Sequence, residues 1–421
     1  MKQSRRGVKS WSALVGVLML VLASPVAWAA GLSQPLGPDE VVAYARAHRA
    51  EIRASAAKAE ALAHLPKVVS ALADPMIMTR IDHLPFSGIG INVSLMVQEE
   101  FPMSGILGDR KRAAQAEARA ATAEARTVEL DVEYQALAAY LMLAELQRMA
   151  AIFDEQIAVA KQVASATEIE LSVGQAVAAD VIRAALEVAR LEGERSAIDG
   201  DIASASAMLD AALALPAGGS SHNCAFTAPD REPAPLADLL AQARKRRPEI
   251  SAMHERVSKA YAEVDVMDSM YRPMGIAQIG TAYTMSDGPG LMFGFGISIP
   301  MWRGKLDAGK AEAKSMAVMA SADESAMRTM VDGDVSSARA EVLAARTRYS
   351  VAHDKLVPLA KAAVSLSLDS YASGQLPLVS VLDSVRALRE SRMSEVVAEV
   401  KVAAAWARLG RSVGVVKLGA P

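Results

Sequence analysis

The chain repeats one sequence pattern at a nearly constant distance. Three landmarks share an offset of 198 residues: Arg49-Ala50-Glu51-Ile52 with Arg247-Pro248-Glu249-Ile250, Pro75-Met76 with Pro273-Met274, and Pro102-Met103 with Pro300-Met301. Further on, Val173-Gly174-Gln175 returns as Ser373-Gly374-Gln375 at an offset of 200. A unit of this length is much longer than a solenoid repeat. The chain is therefore interpreted as a tandem duplication of a half-molecule, in which each half supplies the same elements.

Proline and glycine positions predict the boundaries of the two halves. The first structural repeat is expected over 38–215 and the second over 235–412, each with an opening helix, two strands and a long helical hairpin. The opening helices are predicted from Pro38 to about Pro66 and from Pro235 to about Tyr271. Prolines and glycines are frequent between the repeats, and they predict an irregular linker over 216–234.

The N-terminus predicts export. Basic residues at Lys2, Arg5, Arg6 and Lys9 precede an apolar stretch, and Ala27-Trp28-Ala29 has the small-x-small pattern of a cleavage site, which predicts a signal peptide over 1–29. A membrane anchor is the weaker alternative, because the apolar stretch is short. Cys224 is the single cysteine, so neither a lipid-anchor cysteine near the cleavage site nor an intramolecular disulfide is expected.

The charge of the chain without its leader excludes one class of partner. Removal of the four basic leader residues leaves 41 Lys and Arg against 48 Asp and Glu, a net charge of −7. Nucleic-acid-binding proteins normally present a basic face, so no nucleic-acid partner is expected. No segment after the leader is expected to form a membrane-spanning helix.

Strands with period-2 alternation occur in both repeats. In the second repeat, bulky apolar residues share one face opposite Gly294, Gly296 and Ser298: Leu291, Phe293, Phe295 and Ile297. The first repeat alternates in the same way through Val93, Leu95 and Val97. A soluble sheet with one buried face produces this pattern too. The strand length favours a membrane barrel, because roughly 9–11 residues are needed to cross a bilayer at a tilt.

Very long helices follow the strands. No proline or glycine occurs from Asp109 to Leu171, a run that would be roughly 95 Å long as one helix. After the turn at Gly174, apolar residues fall on two heptad positions as far as Ile202, with Arg195 as the polar interruption. The second repeat follows the same design from Asp307 through Gly374 to about Gly410. Helices of this length cannot form a compact globule, so coiled-coil hairpins are predicted.

The two hairpin turns resemble those of the TolC family of outer-membrane efflux proteins. They read Leu171-Ser172-Val173-Gly174-Gln175 before Asp180-Val181, and Tyr371-Ala372-Ser373-Gly374-Gln375 before Val381-Leu382-Asp383. The resemblance covers essentially the whole chain after the leader. It implies a mostly α fold with a membrane β-barrel, in which a homotrimer closes twelve strands and an α-helical tunnel continues into the periplasm.

The resemblance also implies a function and its partners. The chain would be the passive exit duct of a tripartite efflux system in the outer membrane of a Gram-negative bacterium, contacting lipid, a periplasmic adaptor and an inner-membrane pump. No nucleophile motif, phosphate loop or zinc signature is found, so neither enzymatic activity nor a cofactor is expected. The alternative is a periplasmic coiled-coil adaptor or scaffold without a pore.

The resemblance places a periplasmic entrance at the hairpin turns. The positions that match the family's gate are Asp180, Tyr371, Ser380 and Asp383, and the helix-turn tips are Gly174, Gln175, Gly374 and Gln375. Ser380 replaces one of two acidic residues, and Leu376 replaces a basic residue. A different interpretation is that Asp180 and Asp383 merely begin the returning helices, where carboxylates interact favourably with the helix dipole.

The methionine content is the remaining sequence feature that bears on the substrate. The chain has 21 methionines, and several cluster around the strands of both repeats, among them Met76, Met78, Met96 and Met292. Thioether sulfur suits soft cations such as Cu(I), which would fit the heavy-metal branch of the family. Methionine is also a flexible filler of apolar faces. The sequence leaves open whether the substrate is a metal cation or an organic compound.

Overall fold

The computed structural model describes residues 35–82, 92–174, 176–216, 218, 221–284 and 287–418. The predicted signal peptide, Gln175 and the beginning of the first repeat's second strand lie outside these residues. Within them, the chain forms long helices and a single four-stranded sheet. This agrees with the mostly helical fold expected from the sequence.

Both halves of the described chain contain two short helices, two strands and a long helical hairpin. The first half comprises α1 (Pro38–His48), α2 (Ala50–Val69), β1 (Met76–Asp82), β2 (Asn92–Pro102), α3 (Ile106–Ser172) and α4 (Ala178–Ala212). The second half comprises α5 (Leu236–Arg246), α6 (Pro248–Ser269), β3 (Met274–Thr284), β4 (Gly288–Ser298), α7 (Arg303–Val351), α8 (Val357–Ala372) and α9 (Leu378–Val413). With 67 residues, α3 is about 100 Å long.

The prediction of one continuous opening helix per repeat is wrong. Arg49 separates α1 from α2 and Arg247 separates α5 from α6, both with extended backbone at ψ 129° and ψ 114°. At Arg247 the following proline disfavours helical geometry. Both arginines reach the end of a returning helix, where Arg49 donates to Ala211 O at 2.7 Å and Arg247 donates to Arg411 O at 3.3 Å. In each half, therefore, the arginine between the two opening helices holds them against the returning helix, because it donates to carbonyl groups at the C-terminus of that helix.

The second long helix is interrupted, unlike α3. A π-helical turn over Ala352–Leu356 joins α7 to α8. Pro358 lacks an N–H, and its ring would clash with the carbonyl of residue 354 in an α-helix. The wider π turn lets the chain pass the proline without ending the hairpin.

The four strands form one antiparallel sheet in the order β1-β2-β3-β4. The first half contributes β1 and β2, and Leu95 of β2 pairs with Thr281 of β3, so the two halves join in the middle of the sheet. In the described chain, β1 and β4 are edge strands that pair on one side only.

The hydrophobic core lies where the hairpins meet the opening helices. One buried cluster surrounds Leu137, Tyr140 and Leu209 in the first half, and a second surrounds Val335 and Trp406 in the other. Helix α9 contributes to both clusters. It therefore holds the two halves together.

The inter-repeat segment is anchored to the core over its described part. Leu36 donates to Asn223 O at 2.8 Å, and Tyr140 Oη lies 2.7 Å from Ala225 O. His222 Nε2 lies 2.7 Å from the buried carboxylate of Asp210. These contacts fix the segment against α3 and α4.

One helix among the described residues departs from the expectation that no segment could span a membrane. Helix α3 contains an 18-residue window that is long and apolar enough to do so. Half of this window is buried against other parts of the chain, as in the core helix of a helical bundle.

Candidate functional site

The two hairpin turns have the same backbone geometry. Gly174 and Gly374 both have φ +75°, in the left-handed region that favours glycine. Their N–H groups donate to Leu171 O and Tyr371 O at 3.1 and 2.9 Å. Gln375 N donates to Ser370 O at 2.8 Å, whereas Gln175 lies outside the described residues. The glycine of the turn motif is therefore required by the backbone, independently of any role at an entrance.

Asp180, Ser380 and Asp383 occupy different places on the returning helices. Asp180 lies in the first turn of α4 and accepts a hydrogen bond from Arg183 at 3.2 Å. Ser380 is the corresponding first-turn residue of α9. Asp383 lies beyond that turn, is largely exposed, and accepts a bond from Arg386 at 3.2 Å. The helix-dipole interpretation therefore fits Asp180, but it does not account for Asp383.

Tyr371 connects the two hairpins within one chain. Its hydroxyl donates to Glu170 Oε2 at 2.5 Å, so α8 is tied directly to the end of α3. Burial and the Glu170 carboxylate raise the pKa of Tyr371 to about 12. The hydroxyl therefore remains protonated and able to donate at physiological pH. Its direct partner is Glu170, a residue that sequence reasoning did not single out.

A buried ion-pair cluster joins the same hairpins farther along α4 and α9. Glu187 accepts bonds from Arg386 Nη2 at 2.6 Å and Nε at 3.1 Å, and its other oxygen lies 3.8 Å from Arg389. Glu187 is 6% exposed and Arg389 is 5% exposed. The hydrogen bond from Arg386 holds the pKa of Glu187 below its usual range, against the opposing effect of burial.

Sequence reasoning missed this cluster, although a signal existed. In the heptad pattern of α4, Val188 and Leu191 lie on the seam and Glu187 precedes it at the flanking position that is often charged in coiled coils. Glu194 occupies the next equivalent position and lies 3.9 Å from Arg389. Flanking charges of this kind form interhelical ion pairs. The partner helix was not identifiable, because the seam pattern does not say which hairpin α4 faces.

The sheet presents two chemically different faces. The apolar face comprises Val93, Leu95, Val97, Ile279, Leu291, Phe293, Phe295 and Ile297, all well exposed, with Phe295 at 88%. The predicted residues Leu291, Phe293, Phe295 and Ile297 thus share one side of β4. Gly294, Gly296 and Ser298 lie on the opposite face of the sheet.

Three methionines lie at one level of that opposite face. The register pairs Met78 with Met96, Met96 with Gly280, and Gly280 with Met292. A Cβ atom at Gly280 would lie 2.8 Å from both Cα and Cγ of Met96 and closer still to Leu95 O, so β2 leaves no room for a side chain at this position of β3. Among the described residues, no group of three or more His, Cys, Asp and Glu side chains could hold a metal ion.

Comparison with known proteins identifies the fold. No protein-family model matches the chain, and no curated protein sequence matches it. Solved structures match over nearly the full length. The outer membrane protein VceC from Vibrio cholerae matches with a TM-score of 0.77 at 17% identity, covering 90% of this chain and 96% of VceC.

Two further structures show the same similarity. CusC, described for the conformational changes that accompany folding and transmembrane channel formation, matches with a TM-score of 0.79 at 16% identity, covering 90% of this chain and 92% of CusC. The Campylobacter jejuni outer membrane channel CmeC matches with a TM-score of 0.75 at 14% identity, covering 91% and 87%. The resemblance to TolC-family channels predicted from the sequence is confirmed for the fold. The chain has the fold of these outer-membrane channels.

Proposed function

We propose that this chain is one protomer of a trimeric outer-membrane efflux channel. In this proposal the chain is the passive exit duct of a tripartite system in a Gram-negative bacterium, and an inner-membrane pump acts through a periplasmic adaptor. The observation that carries the proposal is a sheet with one exposed apolar face and two edge strands, continuous with helical hairpins whose helix α3 alone is about 100 Å long.

The edge strands are the reason for a trimer. Lipid contains no water to bond exposed N–H and C=O groups, so a sheet in a bilayer must close into a barrel. Four strands from one chain are too few, since membrane barrels have about eight or more. Three chains supply twelve strands if β1 of one protomer pairs with β4 of the next. The apolar face would then contact lipid and the opposite face would line the pore.

The hairpin tips would form the periplasmic entrance of this duct. Gly174 and Gly374 mark the tips, and Asp383 would be brought near the threefold axis by three chains. Three nearby carboxylates attract cations. Each Asp383 has Arg386 at 3.2 Å, however, so the ring would be partly neutralised. Such an entrance would be less cation-selective than one with two unpaired acidic rings.

Oligomeric state and location test the channel directly. The full-length protein, extracted from isolated outer membranes in mild detergent, is expected to give the mass of three chains by native mass spectrometry. Insertion into planar bilayers should produce discrete conductance steps. Recovery as a monomer in the soluble periplasmic fraction, without conductance, would support the adaptor or scaffold alternative instead.

We propose soft metal cations as a substrate class, because of the methionine row on the pore-lining face. Barrel interiors are usually polar, whereas this level carries Met78, Met96 and Met292 on three of four strands. Three chains would bring nine thioethers to the pore wall. Soft sulfur ligands favour Cu(I) over hard cations, and Ag(I) shares this softness.

Silver retention is expected to show whether these methionines bind metal or only fill apolar space. Purified trimer incubated with Ag(I) and desalted should retain silver, and the triple variant Met78→Leu, Met96→Leu and Met292→Leu should lose most of it. Leucine conserves volume, so assembly should persist. Met142→Leu, at an exposed methionine on α3, serves as the control. Equal silver retention by the triple variant would show that these methionines only pack the sheet and do not bind the metal.

A further inference from the structure

A cavity of about 370 Å³ lies where the sheet joins the helices. Its wall is formed by both halves of the chain: the segment after α2, the end of β2, the start of α3, the segment between α6 and β3, and the first turn of α7. We call it the junction cavity. Its volume falls within the range of roughly 300–1,000 Å³ typical of small-molecule sites.

The wall of the junction cavity is mostly apolar. The aliphatic and thioether side chains on it are Leu72, Ile106, Leu107, Met270, Met274 and Leu306. Ile106 is buried, whereas Leu72 is 48% exposed in the described chain. Such a wall suits the apolar body of a ligand, since burying it there removes apolar surface from water.

Two arginines make this cavity chemically distinct. Arg110 and Arg272 both line it and are exposed at its rim, and within the described residues neither guanidinium has an ion-pair or hydrogen-bond partner. Arg112, two positions from Arg110, is by contrast paired with Asp265 at 2.7 Å and Asp109 at 2.9 Å. Glu100 is also on the wall, where it accepts a long hydrogen bond of 3.5 Å from Gln98. The ionisable groups of the wall therefore carry a net positive charge at neutral pH.

We propose that the junction cavity binds an anionic amphiphile. Its carboxylate, sulfate or phosphate head would contact Arg110 and Arg272, because guanidinium groups bond these planar or tetrahedral anions strongly. Its apolar body would lie against Leu107, Met270 and Met274. Such a ligand comes either from membrane lipid or from the soluble material that passes through the duct.

The position of the cavity supports both sources. Pro102 and Met274 pair at the end of the sheet and belong to the face opposite the apolar one. Under the channel proposal, this part of the sheet faces the pore at the end of the barrel that joins the helices, level with the membrane boundary. The luminal placement rests on the proposed function, whereas the binding itself does not require a pore.

Octyl sulfate is a suitable probe, because it combines a small anionic head with a short apolar chain. The full-length protein in phosphatidylcholine nanodiscs is titrated calorimetrically, and the heat from empty nanodiscs is subtracted. One site per chain is expected. The double variant Arg110→Gln and Arg272→Gln should weaken binding at least about tenfold, since it removes both charged hydrogen-bond donors to the anionic head.

Matched variants test separately the space of the cavity and the charge of its two arginines. Ala73→Trp, which places an indole on the cavity wall, should abolish binding by filling the space. Arg112→Gln alters a neighbouring arginine whose partners are Asp109 and Asp265, and it should leave the affinity unchanged. Octyltrimethylammonium, which carries the opposite charge, should bind at least tenfold more weakly than octyl sulfate.

Native mass spectrometry of the protein from its own membrane distinguishes the sources. An anionic lipid retained by the wild type, displaced by octyl sulfate and absent from the double arginine variant would identify a membrane lipid. Octyl sulfate binding without retained lipid would identify a soluble anion. Equal binding of the cationic and anionic probes, or no saturable binding in any arm, would overturn the proposal. Binding by a protein that forms no pore would overturn the channel proposal and leave this inference standing.

Discussion

Phe295→Arg is expected to abolish assembly in the outer membrane, whereas Gly296→Ser beside it should be tolerated. Phe295 is 88% exposed on the apolar face of β4. An arginine facing lipid costs roughly 2–4 kcal/mol near the midplane. Three chains would bear this cost together, about 6–12 kcal/mol per trimer.

The neighbouring glycine provides the matched control. A Cβ atom at Gly296 would lie 3.5 Å from Cβ of Ile276, an ordinary contact, and it would point to the face opposite Phe295. A serine there should therefore be compatible with a water-filled pore. Phe295→Trp keeps the position apolar and should also assemble. These comparisons separate a charge effect from a general sensitivity of β4.

Semi-native electrophoresis of outer-membrane fractions measures the outcome. The wild type, Gly296→Ser and Phe295→Trp should each give a trimer band, and Phe295→Arg should give monomer or no membrane-associated protein. A soluble sheet would behave differently, because arginine at an exposed position of such a sheet changes stability little. Normal assembly of Phe295→Arg would show that the apolar face does not contact lipid.

Much of this architecture was predictable because it depends on periodic patterns. The run from Asp109 to Leu171 lacks proline and glycine, and it lies within α3. Alternation in β4 gave the correct shared face for Leu291, Phe293, Phe295 and Ile297. Period and breaker residues are properties of a short segment, so they are readable from sequence.

Other features depend on contacts between distant segments. The break at Arg49 has no proline after it, and its arginine bonds Ala211 O across the molecule. The Glu187–Arg386 pair joins residues 199 positions apart. The junction cavity is formed by segments of both halves. Patterns within one segment carry no information on which distant segment packs against it.

Glu187→Gln is expected to open the resting entrance. The substitution removes the carboxylate that pairs with Arg386, and it leaves Arg389, 5% exposed, without its nearest negative charge. Breaking one partner of a buried ion pair destabilises by about 3–5 kcal/mol. The contact joins α4 to α9, so its loss should separate the hairpins and raise the single-channel conductance in planar bilayers.

Variants along the same hairpins define what each contact does. Tyr371→Phe removes the hydrogen bond to Glu170 and should raise the conductance by a smaller amount. Arg183→Gln removes an exposed partner of Asp180 within α4 and should have no effect. Asp383→Ala should reduce cation preference and block by polyvalent cations, with resting conductance unchanged, because the residue pairs only with Arg386 on its own helix in the described chain.

The pH dependence of conductance provides an independent test of the same pair. Arg386 lowers the pKa of Glu187, so the stabilising contribution is present above the usual carboxyl range and is lost as pH falls through the lowered value. Wild-type conductance should therefore stay constant from about pH 8 down to about pH 5 and rise only at more acidic values. Glu187→Gln, already without the charge, should lack this acid-induced rise. The contrary result is a conductance that neither Glu187→Gln nor Tyr371→Phe changes, together with an acid response of Glu187→Gln that equals that of the wild type. It would mean that these contacts stabilise the hairpins without closing an entrance.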